Sequence, residues 1–164
     1  MKKLIEIIKG IKILSSHGNT NKSINGITDN SKNVKNNFLF FAIEGNDFDG
    51  HNFIEDAISN GSNTIVCTKL PSNLEENISY LLVEDIRESV YNISSNFYGN
   101  PDKKIKIIAV TGTNGKTSIV YFLYQFFKSL DIKVGMLSTI ENRIGNEVLN
   151  AKLTTPNPVE FLRI

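Results

Sequence analysis

The sequence predicts an α/β protein: a small α/β domain over residues 1–100, then the beginning of a parallel-sheet domain of the phosphate-loop type over residues 101–164. Three observations point there. Short β-branched runs alternate with two amphipathic stretches through the first hundred residues. The segment "GNPDKK", Gly99–Lys104, is a polar, turn-forming break. Beyond it a β-branched strand, "IKIIAV", runs straight into "TGTNGKTS" and then an apolar helix.

Taken in order, "MKKLIEIIKG" starts like a signal peptide, but Glu6 and Lys9 interrupt its apolar run, and Leu4, Ile5, Ile7 and Ile8 suit a short amphipathic helix. The runs "IKIL", "INGIT", "FLFFAI", "NTIVC" and "YLLV" are bounded by Gly, Asn, Ser or Pro and read as strands. The polar stretch "HGNTNKSINGITDNSKNVKNN" is mostly loop between them. In "HNFIEDAISNG" the residues Phe53, Ile54, Ala57 and Ile58 form one helical face, and Gly61 is placed to end it. In "DIRESVYNISSNFYGNP" the face is Ile86, Val90, Ile93 and Phe97; Asp85 with Glu88 resembles a capping box, and Gly99 and Pro101 stop the helix.

In the second domain, "KTSIVYFLYQFFKSL" carries a broad apolar face of Ile119, Val120, Leu123, Phe126, Phe127 and Leu130. The strand "KVGMLST" follows, so the pattern predicts a βαβ unit with residues 105–110 and 133–139 parallel and a right-handed crossover. A hairpin, "TIENRIGNEVL" with Gly145-Asn146 at its tip, comes next, and "TTPNPVEFLRI" turns from loop into helix.

Composition excludes several classes. The chain has 164 residues, 40% of them apolar, enough to bury a core. With 18 basic and 17 acidic residues the net charge is +1, which asks for neither nucleic acid nor an anionic membrane as partner. No run approaches the roughly 20 apolar residues that span a bilayer. The single cysteine, Cys67, lies in an apolar run and reads as a buried thiol, consistent with a reducing, cytoplasmic setting.

The chemistry sits in "TGTNGKTS". A strand that delivers a tight turn, glycines that let backbone N–H groups approach an anion, and a helix N-terminus together make a phosphate site. Gly112 and Gly115 supply the open backbone, Lys116 a point charge for phosphate oxygens, and Thr117 a hydroxyl for Mg²⁺. The bland alternative is a glycine turn with a solvated lysine, but a lysine in the first helical turn opposes the helix dipole. The loop departs from G-x-x-x-x-G-K-[ST], because Val110 stands where the first glycine belongs and Gly112 comes two residues later.

That departure resembles the nucleotide loop of the Mur ligase superfamily, the ATP-dependent amide ligases that build the peptidoglycan stem peptide, together with the folylpolyglutamate synthetases. Two further stretches narrow the resemblance. Residues Gly26 to Cys67 look like the N-terminal uridine-nucleotide domain of the ligases that add the third residue (MurE-type) and the terminal dipeptide (MurF-type). The family's Asp-Ser-Arg triplet reads Asn30-Ser31-Lys32 here, a weaker match because Lys lacks the forked donors of Arg. The runs Phe41-Ala42-Ile43-Glu44-Gly45 and Asp49-Gly50-His51-Asn52-Phe53-Ile54 match closely. "LTTPNP", Leu153–Pro158, is similar to the Thr-Thr-Pro loop of the third-residue ligases. The dipeptide-adding ligases usually have Gly-Ser where Gly112-Thr113 stands, the alanine-adding ones His at Asn114, and the folylpolyglutamate enzymes lack the N-terminal domain.

The resemblance implies ATP and Mg²⁺ as cofactors and a cytoplasmic, monomeric enzyme. Lys116 and Thr117 would be catalytic, Gly112, Thr113, Asn114, Gly115, Lys116, Thr117 and Ser118 would hold the nucleotide, and Thr117 would bind the metal. Ser31, Thr154 and Thr155 would contact UDP-N-acetylmuramoyl-L-alanyl-D-glutamate, to which a diamino acid, meso-diaminopimelate or L-lysine, is added. It covers only the first third of a complete ligase, so the expectation is an N-terminal piece that forms no tripeptide product by itself. A dipeptide-adding relative and a non-catalytic nucleotide-binding module stay open beside this reading. As single residues, Ser31 also suits a turn, His51 a helix start and Asn157 a cap.

Overall fold

The computed structural model describes residues 1–45, 48–145, 147–150 and 157–163. It divides into two compact units, Met1–Pro101 and Asp102–Ile164. No helix among the described residues is long and apolar enough to cross a membrane.

The first unit runs β1 (Lys2–Lys3), α1 (Leu4–Ile7), β2 (Ile13–His17), β3 (Ser23–Ile24), β4 (Gly26–Thr28), a 3₁₀ turn at Ser31–Asn33 and β5 (Phe38–Phe41). A second 3₁₀ turn, Gly50–Phe53, leads into α2 (Ile54–Ser59), and β6 (Ser62–Cys67), β7 (Ser79–Val83) and α3 (Ile86–Tyr98) follow. The sheet order is β2-β7-β6-β5-β4. Strands β4 to β7 are mutually parallel, and β2 closes one edge antiparallel to β7. This is the mixed α/β architecture the sequence predicts.

Alternation along the strands sends side chains to opposite faces. Phe40, Ala42, Ile65, Cys67 and Tyr80 pack with Ile54 and Ala57 of α2. The residues between them, Leu39, Phe41, Val66, Leu81 and Val83, are equally buried, so the sheet is covered on both sides, as parallel sheets require. Cys67 is fully buried, and burial pushes its thiol up to about 11, which keeps it protonated at neutral pH.

"INGIT" divides between two sheets. Ile24 pairs with Lys2 across the β1–β3 ribbon, while Gly26–Thr28 joins the main sheet. Asn25 bridges the two by donating its amide to the Asn37 carbonyl at 2.8 Å.

Helix α3 forms as its spacing predicts. Asp85 caps it, accepting from the amides of Arg87 at 2.8 Å and Glu88 at 3.0 Å, and Gly99 ends it in the left-handed conformation. Ile86, Val90 and Ile93 are buried along with Ser89, Ser94 and Ser95. The Ser94 hydroxyl is buried without a hydrogen-bond partner among the described residues. A buried, unpaired hydroxyl costs about 1–3 kcal/mol. Ser94→Ala is therefore expected to raise stability by about 1 kcal/mol in urea unfolding followed by circular dichroism. A loss of that size would mean the hydroxyl has a partner in solution.

The second unit contains α4 (Lys116–Ser129), β8 (Gly135–Leu137), β9 (Glu141–Ile144), β10 (Glu147–Asn150) and α5 (Pro158–Arg163). The expected hairpin is present, with β9 and β10 antiparallel and Gly145 in its turn; Asn146 lies outside the described residues. The expected parallel pairing of residues 105–110 with 133–139 is not found. Residues 106–111 belong to no strand, and Ile105, Ile107 and Ile108 are 61%, 53% and 59% exposed. Instead β8 pairs antiparallel with β9. The reason is local: the hairpin lies a few residues away, so closing that loop costs little entropy, whereas a parallel pair spans a whole helix.

The apolar face of α4 is also less covered than its spacing predicts. Ile119, Phe126 and Leu130 are about half exposed or more, and Tyr124, at 3%, makes the buried contact. The Arg143 guanidinium of β9 lies 5.7 Å from the Tyr124 ring and donates to Glu141 at 2.7 Å. Three short strands span too little width to cover a stripe that broad.

Candidate functional site

The loop 111–115 is exposed and ends at the first turn of α4. Gly112 has φ 148° and Gly115, the N-cap, has φ 76°, conformations that side chains other than glycine adopt only with strain. The surrounding protein does not require glycine at either place. A Cβ on Gly115 would meet nothing within 4 Å, and one on Gly112 only the Asn114 carbonyl at 3.8 Å. Packing leaves both positions open, so it is the backbone conformation that calls for glycine there.

Among the described residues, no group accepts a hydrogen bond from the amides of residues 112–118. Unpaired amides at the positive end of a 14-residue helix are donors of the kind an anion takes. Lys116 folds back over the same loop, its Nζ donating to the Gly112 carbonyl at 2.6 Å and the Thr113 carbonyl at 3.2 Å. Its ammonium thus sits on the bend, held by two carbonyls it can exchange for phosphate oxygens. Asn114 and Ser118 lie on the same loop and first turn, both exposed.

Thr117 Oγ1 stands 3.0 Å from Thr139 Oγ1. A hydroxyl oxygen is the hard donor that Mg²⁺ takes, and no cluster of three or more His, Cys, Asp or Glu among the described residues could hold a metal by itself. A single hydroxyl donor of this kind fits a cation that draws most of its ligands from phosphate and water. An open cleft of about 410 Å³ adjoins Thr117, walled by Tyr121 and Phe122 of α4 and by Met136 and Ile140 across from them. Sequence reasoning passed over Thr139; the contact joins residues 22 positions apart, and no local pattern encodes it.

In the first unit, Ser31 opens the 3₁₀ turn after β4 and is 8% exposed. Asn30 caps that turn by accepting from the Lys32 amide at 3.0 Å, which is a structural use for the first residue of the triplet. The Ser31 carbonyl accepts from Asn60 at 3.1 Å, tying the turn to the end of α2.

The Asp49-Gly50-His51 run has an architectural role. Asp49 Oδ1 accepts from the His51 amide at 2.9 Å and lies 2.6 Å from His51 Nδ1. His51 Nε2 accepts from the Thr68 and Lys69 amides at 3.2 and 3.3 Å, so the ring proton belongs on Nδ1, facing Asp49. The imidazole thereby locks the start of α2 to the end of β6. Gly50 is needed for close approach: a Cβ there would fall 2.5 Å from the Ile43 backbone nitrogen.

The His51 amide bond, and after it the His51 side chain, holds the Asp49 carboxyl below its usual range, against a smaller opposing effect of burial. A depressed native pKa makes this carboxylate stabilising above the ordinary aspartate value of about 3.9, with the contribution lost as pH falls through the lower native value. The stability gap between the wild type and Asp49→Asn is accordingly expected to narrow as pH drops below about 4. Urea midpoints across the acid range check this, and a gap independent of pH would contradict it.

Thr154 and Thr155 lie outside the described residues. Asn157 caps α5, its Oδ1 accepting from the Glu160 amide at 2.8 Å.

Against known families, residues 23–108 match the model described as Mur ligase family, catalytic domain, and residues 110–164 match the Mur ligase middle domain. The chain belongs to the Mur ligase family. Among curated Mur ligases it is 40% identical over 162 residues to a UDP-N-acetylmuramoyl-L-alanyl-D-glutamate--2,6-diaminopimelate ligase of Phocaeicola vulgatus, covering 99% of this chain and 34% of that protein. It is 41% identical over 161 residues to a UDP-N-acetylmuramyl-tripeptide synthetase of Borreliella burgdorferi, covering 95% of this chain and 31% of that one. The chain thus spans about a third of the length of these relatives.

Two solved Mur ligases share the fold. A UDP-N-acetylmuramoyl-L-alanyl-D-glutamate--2,6-diaminopimelate ligase superposes with TM-score 0.73 at 20% identity, over 99% of this chain and 32% of that one. MurF ligase from Thermotoga maritima, solved in complex with ADP, gives 0.56 at 28% identity over 83% of this chain and 28% of that one.

Proposed function

We propose that this chain carries the nucleotide-gripping loop and the UDP-sugar-binding unit of a MurE-type ligase, which joins a diamino acid to UDP-N-acetylmuramoyl-L-alanyl-D-glutamate at the expense of ATP. The observation that carries the reading is the loop 111–117, where two positive-φ glycines, unpaired amides, a helix N-terminus, Lys116 and Thr117 converge.

In this reading the amides from Gly112 to Ser118 cradle the phosphates and orient the terminal phosphoryl group for attack by the D-glutamate carboxylate. Lys116 exchanges its two carbonyl partners for phosphate oxygens and offsets the charge that develops during transfer. Thr117 is the side chain that would hold Mg²⁺, which when bound neutralises charge on the phosphates. Ser31, Thr154 and Thr155 are assigned to the UDP-muramoyl substrate, and the incoming amine displaces phosphate from the activated carboxyl. The identities of 40% and 41% to proteins named for third-residue addition support this choice.

Calorimetry of the whole chain tests it. Mg·ATP is expected to bind, and UDP-N-acetylmuramoyl-L-alanyl-D-glutamate is expected to bind more tightly than the same nucleotide already carrying the diamino acid. The opposite preference would favour a dipeptide-adding ligase, and failure to bind any nucleotide would overturn the proposal.

A further inference from the structure

We infer that Thr139 is a positioning residue for the metal-binding hydroxyl of Thr117, fixing the direction in which that hydroxyl offers its lone pair; the inference rests on the nucleotide-site reading above. A threonine hydroxyl has one proton and two lone pairs. To face a cation with a lone pair, it must send its proton elsewhere. Thr139 Oγ1, 3.0 Å from Thr117 Oγ1, is placed where it can accept that proton.

Thr139 can do this because the turn that bears it is tied down. The neighbouring Ser138 hydroxyl accepts from the amides of Ile140 at 3.3 Å and Glu141 at 3.2 Å and donates to the Glu141 carbonyl at 2.8 Å. Asn142 Oδ1 accepts from the Ser138 amide at 3.3 Å. Ser138 and Asn142 are 6% and 9% exposed, so these bonds lie largely out of water, while Thr139 itself is exposed at the surface of the turn. Two side chains, Ser138 and Asn142, thus hold a short turn in one shape through four hydrogen bonds, and the Thr139 hydroxyl that the turn presents meets Thr117. The pairing also links the turn between β8 and β9 to the first turn of α4, so the metal-binding hydroxyl is oriented from outside its own helix.

The consequence is specific to the metal. Without Mg²⁺, the phosphates meet backbone amides and Lys116, and Thr139 has no part in that contact. With Mg²⁺, a Thr117 hydroxyl whose proton has lost its acceptor is a poorer ligand. A hydrogen bond of this kind is worth about 0.5–1.5 kcal/mol, or roughly 2- to 10-fold in affinity.

The test is calorimetric titration of the whole chain with ATP in EDTA and with ATP in excess Mg²⁺, for the wild type, Thr139→Val and Thr139→Ser. Val keeps the shape and removes the acceptor; Ser keeps the acceptor. The inference expects Thr139→Val to lose about 2- to 10-fold of the Mg²⁺-dependent gain while matching the wild type in EDTA, and Thr139→Ser to retain the gain. Equal losses with and without Mg²⁺ would mean a merely structural role and overturn it, as would an unchanged Thr139→Val. In the latter case the nucleotide reading stands if Lys116→Ala weakens ATP. A wild type that binds no ATP removes both.

Discussion

Lys116→Ala is expected to weaken Mg·ATP binding by about 10- to 100-fold, the loss of one charge-assisted contact worth roughly 1.5–3 kcal/mol. The expectation follows from where the ammonium sits. It caps two carbonyls of the loop, Gly112 and Thr113, at the positive end of α4, a place where a cation is electrostatically unfavourable. In the proposed reading an anion neutralises both the ammonium and the helix N-terminus. Calorimetry with Mg·ATP measures the loss, circular dichroism checks that α4 is intact, and Lys133→Ala, an exposed lysine elsewhere in the same unit, serves as the control. Equal affinities for the wild type and Lys116→Ala would overturn the assignment of this loop to nucleotide.

Tyr80→Ala is expected to destabilise the first unit by about 3–5 kcal/mol, the range for emptying an aromatic site in a packed core. Tyr80 is 1% exposed in the parallel strand β7 and belongs to the cluster with Phe40, Ile65 and Cys67. Its hydroxyl accepts from the Glu75 amide at 3.3 Å, and burial, more than any other influence, raises its pKa. Tyr80→Phe separates the two contributions: it keeps the ring and is expected to cost only about 0.5–1.5 kcal/mol. Since the chain has no tryptophan, far-ultraviolet circular dichroism in urea is the suitable readout. A Tyr80→Phe cost as large as that of Tyr80→Ala would place the stabilisation in the hydroxyl rather than the packing.

The site divides in the same way between local and distant causes. Gly112, Gly115, Lys116 and Thr117 are consecutive or nearly so, and their geometry follows from a turn and a helix start, so their pattern is readable directly. The Asp49-Gly50-His51 run was readable as a motif but not as a device. Its meaning comes from the Thr68 and Lys69 amides, 17 and 18 residues away, and from the Ile43 backbone that Gly50 approaches.

Sequence alone determined the α/β class, the capped helix from Ile86 to Tyr98, the hairpin around Gly145 and the glycine loop that leads into α4, because each is fixed by interactions within a few residues. The tertiary structure alone decided that Ile24 and Gly26 enter different sheets, that β8 runs antiparallel to β9, and that Thr139 meets Thr117. A strand's alternation states which face is apolar but not which neighbour it will take. That choice is a competition between partners, settled by loop-closure entropy and by which backbone groups would otherwise stay unpaired.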